Sequence, residues 1–311
     1  MTTDAYRRLT GKDAPPPDPV RYSNTRVAAL MSLFLNFFAS SVTPDQLEDI
    51  ASSCRVERTE AYAECVAALC GVGTDSAERA FTQRYLRNMI RELDVTEFQN
   101  DPYYRTVRIP EAAAGRFVLT TMELPACEGF VRDDFVVEND GRMLPQIGYF
   151  TEPYRYPAVL EDGREWMTLL PNETVSTLPA VRNAHGRVLT YGLGLGYFAF
   201  MASRKANVES VTVVERDPDL IDLFRAYVLP QFPDRHKVEI LCADAFAFAE
   251  QLRPGDPYDY VFADIWHDAG DGREMYLRFK SLEKNLPDAG FDYWLEKTIL
   301  CYIAKELWAP V

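Results

Sequence analysis

RVLTYGLGLGYFAF, residues Arg187 to Phe200, is the stretch that decides how the rest of the chain is read. A short apolar run, Val188 to Tyr191, meets glycines at every second position (Gly192, Gly194, Gly196) and then a segment rich in Phe and Ala. That order spells strand, tight turn, helix. Glycine supplies backbone angles that other residues resist and removes the Cβ atoms that would hold a ligand off the main chain, so a cofactor can lie against such a turn. Taken alone, the pattern fits an unliganded tight turn as well; the residues downstream decide between the two.

After the turn, strand and helix patterns alternate. SVTVVE from Ser210 reads as a strand, and Asp217-Pro218 opens a helix with Leu220, Leu223, Phe224 and Tyr227 on one face. VEILC from Val238 is a third strand, AFAFAEQL after Asp244 a helix, and YDYVFAD from Tyr258 a fourth strand ending at Asp264. The expected fold is α/β, a Rossmann-like, mostly parallel sheet whose right-handed crossovers bring the carboxyl ends of the strands to one edge. The crevice then lies beside the first strand. Acids recur along that edge, at Glu215, Asp244 and Asp264. Glu215, a strand-length and a helix beyond the glycines, is placed to accept both hydroxyls of a ribose. For Asp217 and Asp244 a helix N-cap is an equal reading.

A dinucleotide fold needs a third glycine where Tyr197 stands. Glycines at alternate positions instead resemble the first motif of the class I S-adenosylmethionine-dependent methyltransferases, whose cofactor has no phosphate to cradle. The resemblance covers roughly residues 170 to 285. It implies that Gly192, Gly194 and Gly196, with Tyr191 before them, meet the methionine part of S-adenosylmethionine, Glu215 the ribose, and Asp244 with Ala245 the adenine edge. It places Asp264 near the reacting sulfonium. In layout the chain is most similar to the spermidine synthase branch, which has a small β-rich section before the glycine motif and an acidic loop after the fourth strand. Here that loop reads DIWHDAGD, with Asp264, His267, Asp268 and Asp271. Three departures stand out. Asp264 and Asp268 are four apart where the aminopropyltransferases have three, GREWMTLLPNE lacks the DExxYHE-like pattern, and too few residues follow the fourth strand for three more strands with their helices. The sheet is therefore expected to be truncated at its C-terminal end.

Before the turn, a polar first stretch to about residue 22, with Pro15, Pro16, Pro17 and Pro19, reads as an extended arm. Val27 to Val42 reads as a buried helix or a face for a homodimer, being too short and too polar to span a membrane. Thr43-Pro44-Asp45-Gln46 and Asp75 with Glu78 announce two further helices, the second carrying Phe81, Tyr85, Met89, Ile90 and Leu93. Asp140-Gly141 and Asp162-Gly163 suit hairpin turns. Asn172 is expected to cap a helix ending near Gly186. The boundaries follow: a helical region over 1–98, a small β-rich section over 99–171, and the cofactor domain over 172–311.

Composition narrows the partner. A net charge of −14, with no run of Lys or Arg, argues against nucleic acid, whose binding needs a basic patch, and favours a neutral or cationic small molecule. Six scattered cysteines, without a CxxC pair or His spacing, fit reduced thiols in a cytoplasmic protein better than disulfides, and no metal is assigned. Transfer from a sulfonium is an in-line displacement in which the protein supplies approach geometry and a home for the nucleophile's proton. Asp264 is the first candidate base and His267 the second; Asp268, with Asp271 and Glu165, would hold a cationic substrate, and Trp166, Trp266 and Tyr197 would wall it. The expected activity is methyl transfer to a small molecule. Aminopropyl transfer from decarboxylated S-adenosylmethionine is the related alternative, and a non-catalytic cofactor-binding scaffold the alternative of another kind.

Overall fold

The structure, a computed structural model, describes residues 2–309, so Met1 and residues 310–311 of the expected regions lie outside it. Contacts group the chain into two compact units, and not in simple chain order. The first comprises Met1–Val95, Glu123–Tyr154 and Leu300–Val311, the second Thr96–Met122 and Arg155–Ile299.

The first unit is helical around a three-stranded sheet. Thr2–Thr10 is a helix, with Ala5 and Tyr6 buried and Tyr6 Oη donating to the Ala14 carbonyl at 3.0 Å. The expected extended arm is thus reduced to the prolines that separate this helix from Asp18–Leu33; a buried tyrosine anchors what composition alone marked as polar arm. Asp18–Leu33 runs on through a π-helical turn, Phe34–Phe38, and it is amphipathic, with Val27, Met31 and Phe34 inside and Phe37 outside. Thr43 closes a capping box with Gln46, and Asp75 caps Ser76–Phe81, as their spacing predicts. Past Met89 the helical expectation fails: Ile90–Leu93 is a strand pairing in parallel with Met143–Phe150, which pairs antiparallel with Phe130–Val137 across the Asp140-Gly141 turn. Short windows leave helix and strand periods ambiguous, and here strand pairing decides.

The second unit holds a five-stranded sheet, every pair in it parallel, made of Gly186–Tyr191, Val208–Glu215, Val238–Cys242, Tyr260–Ala263 and Gly290–Tyr293. In chain order their spatial order is 3-2-1-4-5. The first two connections run outward one way, and the chain then crosses to the other side of the first strand, which creates a crevice at the carboxyl end of that strand. The interior strands read as near-continuous apolar runs because helices cover both faces. The fifth strand, GFDY, is one the sequence did not disclose, since four residues with two of them polar or glycine carry no clear period. A separate four-stranded sheet contains Ala112–Ala114, Phe117–Leu124, Tyr154–Glu161 and Arg164–Thr168 in that order. Its last two strands are joined by Asp162-Gly163, both residues at positive φ. The β-rich stretch of sequence therefore feeds two sheets.

Between the sheets' chain segments, the helix expected to be capped by Asn172 begins two residues earlier. Leu170 is its N-cap and Pro171 its first residue, and the helix is Pro171–Asn183. Proline at the first helical position needs no donor, which fixes the start.

Candidate active site

The glycine turn is built as its sequence spells it. Gly192 has φ +96°, and a Cβ there would lie 1.9 Å from the carbonyl oxygen of Asp264. Gly194 has φ +49°, and its Cβ would meet Met167 Sδ at 2.2 Å. These two positions bring the end of the first strand against the main chain at the end of the fourth and against a side chain of the strand Arg164–Thr168, and both have the positive φ that favours glycine. The turn's polar groups are held from around it. Gly192 N–H donates to Val214 O at 3.0 Å, Leu195 N–H to Met167 Sδ at 3.0 Å, and the Tyr103 hydroxyl donates to Leu195 O at 2.6 Å.

Glu215, 6% exposed, ends the second strand. One carboxylate oxygen accepts the N–H of Leu193 at 3.2 Å and the other that of Asp217 at 2.9 Å. Each oxygen keeps a second lone pair, so the acid is oriented by the backbone and still able to accept a diol. Asp217 in turn caps Pro218–Leu223 and pairs with Arg116.

Glycine turn, strand ends and the segment 165–177 enclose a cavity of about 460 Å³, within the usual range for a drug-sized ligand. Gly192, Gly194, Glu215, Asp244, Ala245, Asp264 and His267 all line it. Tyr191 does not: its ring is buried against Phe279, 4.9 Å between centroids, and its carbonyl accepts the N–H of Asp264. Gly196 is also outside the lining, as the left-handed residue that starts Tyr197–Ser203. Asp244 both lines the cavity and caps Ala245–Gln251 through the N–H of Ala247, so its capping role leaves it facing the cavity. Asp268 departs from expectation. It lies outside the lining, capping Ala269–Leu282 in a capping box with Asp271. The four-residue spacing from Asp264 turns its side chain to the helix start, where the free N–H groups of Gly270 and Asp271 take it at 2.6 and 3.1 Å.

Trp166 lines the cavity, edge-on to Phe117 and to His267, and Trp266 is buried with its indole N–H on Trp294 O at 3.2 Å. Tyr197 donates to Asp101 at 2.9 Å. The residues that the sequence did not single out are Met167, Trp294 and, above all, Glu173. Glu173 lies in the first turn of Pro171–Asn183 and Asp264 just beyond the fourth strand, and both face the cavity. Neither carboxylate makes a hydrogen bond or ion pair with a described residue. Burial pushes Asp264 up to about 7, and burial followed by the nearby Asp264 charge pushes Glu173 well above the ordinary carboxylate range. A lone Glu next to Asn172 at a helix start gives no sign of this in sequence, because first-turn acids are common there.

The cavity's charged lining is five acids (Glu165, Glu173, Glu215, Asp244, Asp264) against one guanidinium, Arg216. A pyrophosphate would be repelled here, whereas a sulfonium or an amine would be attracted. The residues present are of a kind that fits a nucleoside cofactor without phosphate: a backbone-oriented carboxylate, a turn on which a Cβ would leave no room, and half-buried acids without a cation of their own.

No family model matches the chain. Against curated proteins, 162 residues are 26% identical to the polyamine aminopropyltransferase of Pyrobaculum calidifontis, covering 49% of this chain and 52% of that one. A stretch of 127 residues is 26% identical to putrescine N-methyltransferase 1 of Nicotiana tabacum, covering 39% of this chain and 31% of that one. The chain thus spans about half or less of the length of these relatives. The solved spermidine synthase of Thermotoga maritima superposes with a TM-score of 0.36 at 15% identity, over 49% of this chain and 60% of that one. In its Rossmann-like sheet and in these sequence matches, the chain is similar to the S-adenosylmethionine-dependent methyltransferase superfamily, and within it to the spermidine synthase-like branch.

Proposed function

We propose that this chain is a transferase that moves a methyl group from S-adenosylmethionine to a nitrogen of a small amine. The observation that carries the reading is the cavity itself: a backbone-oriented acid, Glu215, beside a glycine turn, with the half-buried acid Asp264 beyond the fourth strand. In this reading the cofactor, when bound, supplies an electrophilic carbon with a thioether as leaving group. Glu215 accepts the ribose hydroxyls, Asp244 and Ala245 bound the base, and the main chain at Gly192 and Gly194 lies against the methionine part. Asp264 accepts the proton that the ammonium must lose before its lone pair can attack. Its upward shift to about 7 suits that task at neutral pH, where proton acceptance needs neither a strong base nor a wet site. Trp166 and Trp266 supply apolar walls that limit water. Asp268 acts through helix stability and not in the chemistry.

Aminopropyl transfer from decarboxylated S-adenosylmethionine is the second reading. It draws on the longer sequence match, 162 residues against 127, and on the excess of acid, which offers little welcome to a cofactor carboxylate. Mass spectrometry after incubation with either cofactor and a set of alkyl amines separates the readings. S-adenosylhomocysteine with an N-methylated amine is the expected outcome. Methylthioadenosine with an aminopropylated amine favours the second, and consumption of neither cofactor with any amine overturns both.

A further inference from the structure

We propose that Glu173 is the second carboxylate of the acceptor subsite, clasping the acceptor nitrogen together with Asp264 and restricting transfer to the first alkylation of a primary amine. The inference rests on the transferase reading and adds a residue and a product rule to it.

The two acids reach one cavity from different elements, Glu173 from the first turn of a helix and Asp264 from the end of a strand. Neither has a partner among the described residues, and Arg216, the guanidinium in the same lining, forms no ion pair with either. Both acids are half-buried and face the same cavity, and a partly desolvated carboxylate without a donor is unfavourable, so the pair lacks its complement until something with several N–H groups enters. An alcohol brings a single O–H and would leave one of the two acids unpaired. A primary ammonium brings three N–H groups. One goes to each carboxylate, and the third points along the remaining direction.

The transfer then balances as follows. A proton passes from one of the ammonium's N–H groups to Asp264, the amine turns so that its two remaining N–H groups face the two acids, and its lone pair then attacks the carbon bound to sulfur. The C–N bond forms as the C–S bond breaks, its electrons returning to sulfur as a neutral thioether. The product is a secondary ammonium whose two N–H groups remain on Glu173 and Asp264. A second round would have to aim the lone pair at the carbon bound to sulfur while the new alkyl group occupied a carboxylate's place, leaving that acid without its donor.

Glu173→Gln and Glu173→Asp, assayed with S-adenosylmethionine and a primary alkyl diamine, test this. For Glu173→Gln the expected results are a rise in KM for the diamine of about tenfold or more, since a charge-assisted hydrogen bond is lost, an S-adenosylmethionine Kd within about twofold of wild type, and dialkylated product that the wild type does not form. Glu173→Asp should recover part of the amine affinity. An unchanged KM together with an unchanged product pattern overturns the assignment of Glu173 and leaves the transferase reading standing. Failure of the wild type to bind S-adenosylmethionine or its decarboxylated form overturns the transferase reading instead. Calorimetric titration of the diamine into the cofactor-free protein still reads Glu173 in that case, as binding that depends on it or as binding that does not.

Discussion

The carboxylate of Glu215 accepts the backbone N–H of Leu193 at 3.2 Å, so the acid that ends the second strand also holds the turn that ends the first. In the proposed reading, cofactor recognition and backbone order are therefore carried by the same side chain. Glu215→Ala leaves the N–H groups of Leu193 and Asp217 without their partner in a buried place, at a cost of about 1–3 kcal/mol. The expected outcome is a lower Tm by several degrees together with loss of cofactor binding, read by thermal unfolding and calorimetry. An unchanged Tm would mean that the contact does not hold the turn.

The two glycines whose Cβ would crowd a neighbour should differ in what their replacement does. At Gly192 the obstacle is the carbonyl oxygen of Asp264, part of the main chain, whereas at Gly194 it is the tip of Met167. Both residues have positive φ, so alanine is strained at either. Gly192→Ala should be the more destabilising, by about 2 kcal/mol or more over Gly194→Ala, because a methionine can swing aside and a strand end cannot. Chemical denaturation of the two variants checks the order; a reversed order contradicts the close approach at Gly192.

Asp264 gives a pH dependence of definite sign. Its carboxyl is raised from 3.8 to about 7, so between those values the folded protein holds a proton that the unfolded chain has lost. Folding stability therefore falls as pH rises through that window and levels off above it. Asp264→Asn removes the cost, and should stabilise the cofactor-free protein by about 1–4 kcal/mol at pH 8 and by little near pH 4, read as the difference in Tm from wild type. A variant that is less stable than wild type at pH 8 would mean that Asp264 is paired and charged in the fold. With cofactor and amine present, the same variant should lose most of its turnover.

Much of this was legible in the chain because it is local. The strand, glycines and helix of residues 187–203 lie in one unbroken stretch, and the acids at Glu215, Asp244 and Asp264 end strands whose apolar runs announce them. Thr43 and Asp75 cap helices as their neighbours indicate. What stayed hidden is what tertiary pairing decides. Ile90–Leu93 continues a helical stripe in sequence and is taken into a sheet by Met143–Phe150. The fifth strand of the large sheet is too short to show a period. Glu173 looks like any first-turn acid until the cavity wall is assembled, and the capping role of Asp268, whose Oδ1 takes the N–H groups of Gly270 and Asp271, shows only once the helix start is in place. The positions of the glycines were readable, but not that Tyr191 turns its ring away into the core.

Asp268→Ala tests the division of labour within the acidic loop. Loss of an N-cap costs about 1 kcal/mol, so a modest fall in Tm is expected, with the Kd for the sulfonium cofactor unchanged. Repairing the cap with Asp268→Ser should restore stability and activity together. A variant of normal Tm with abolished turnover would instead place Asp268 in the chemistry.

The most direct test of the central claim, that the cavity between the glycine turn and Asp264 receives a sulfonium nucleoside, is thermal unfolding with S-adenosylmethionine, its decarboxylated form and NAD, each in large excess, for wild type and Glu215→Ala. A ligand at about 100 times its Kd stabilises by about 2.7 kcal/mol, which here means a rise of several degrees. The expected result is that rise with a sulfonium cofactor and not with NAD, and its disappearance in Glu215→Ala. Stabilisation by NAD alone, or a sulfonium effect that survives loss of Glu215, would contradict the account.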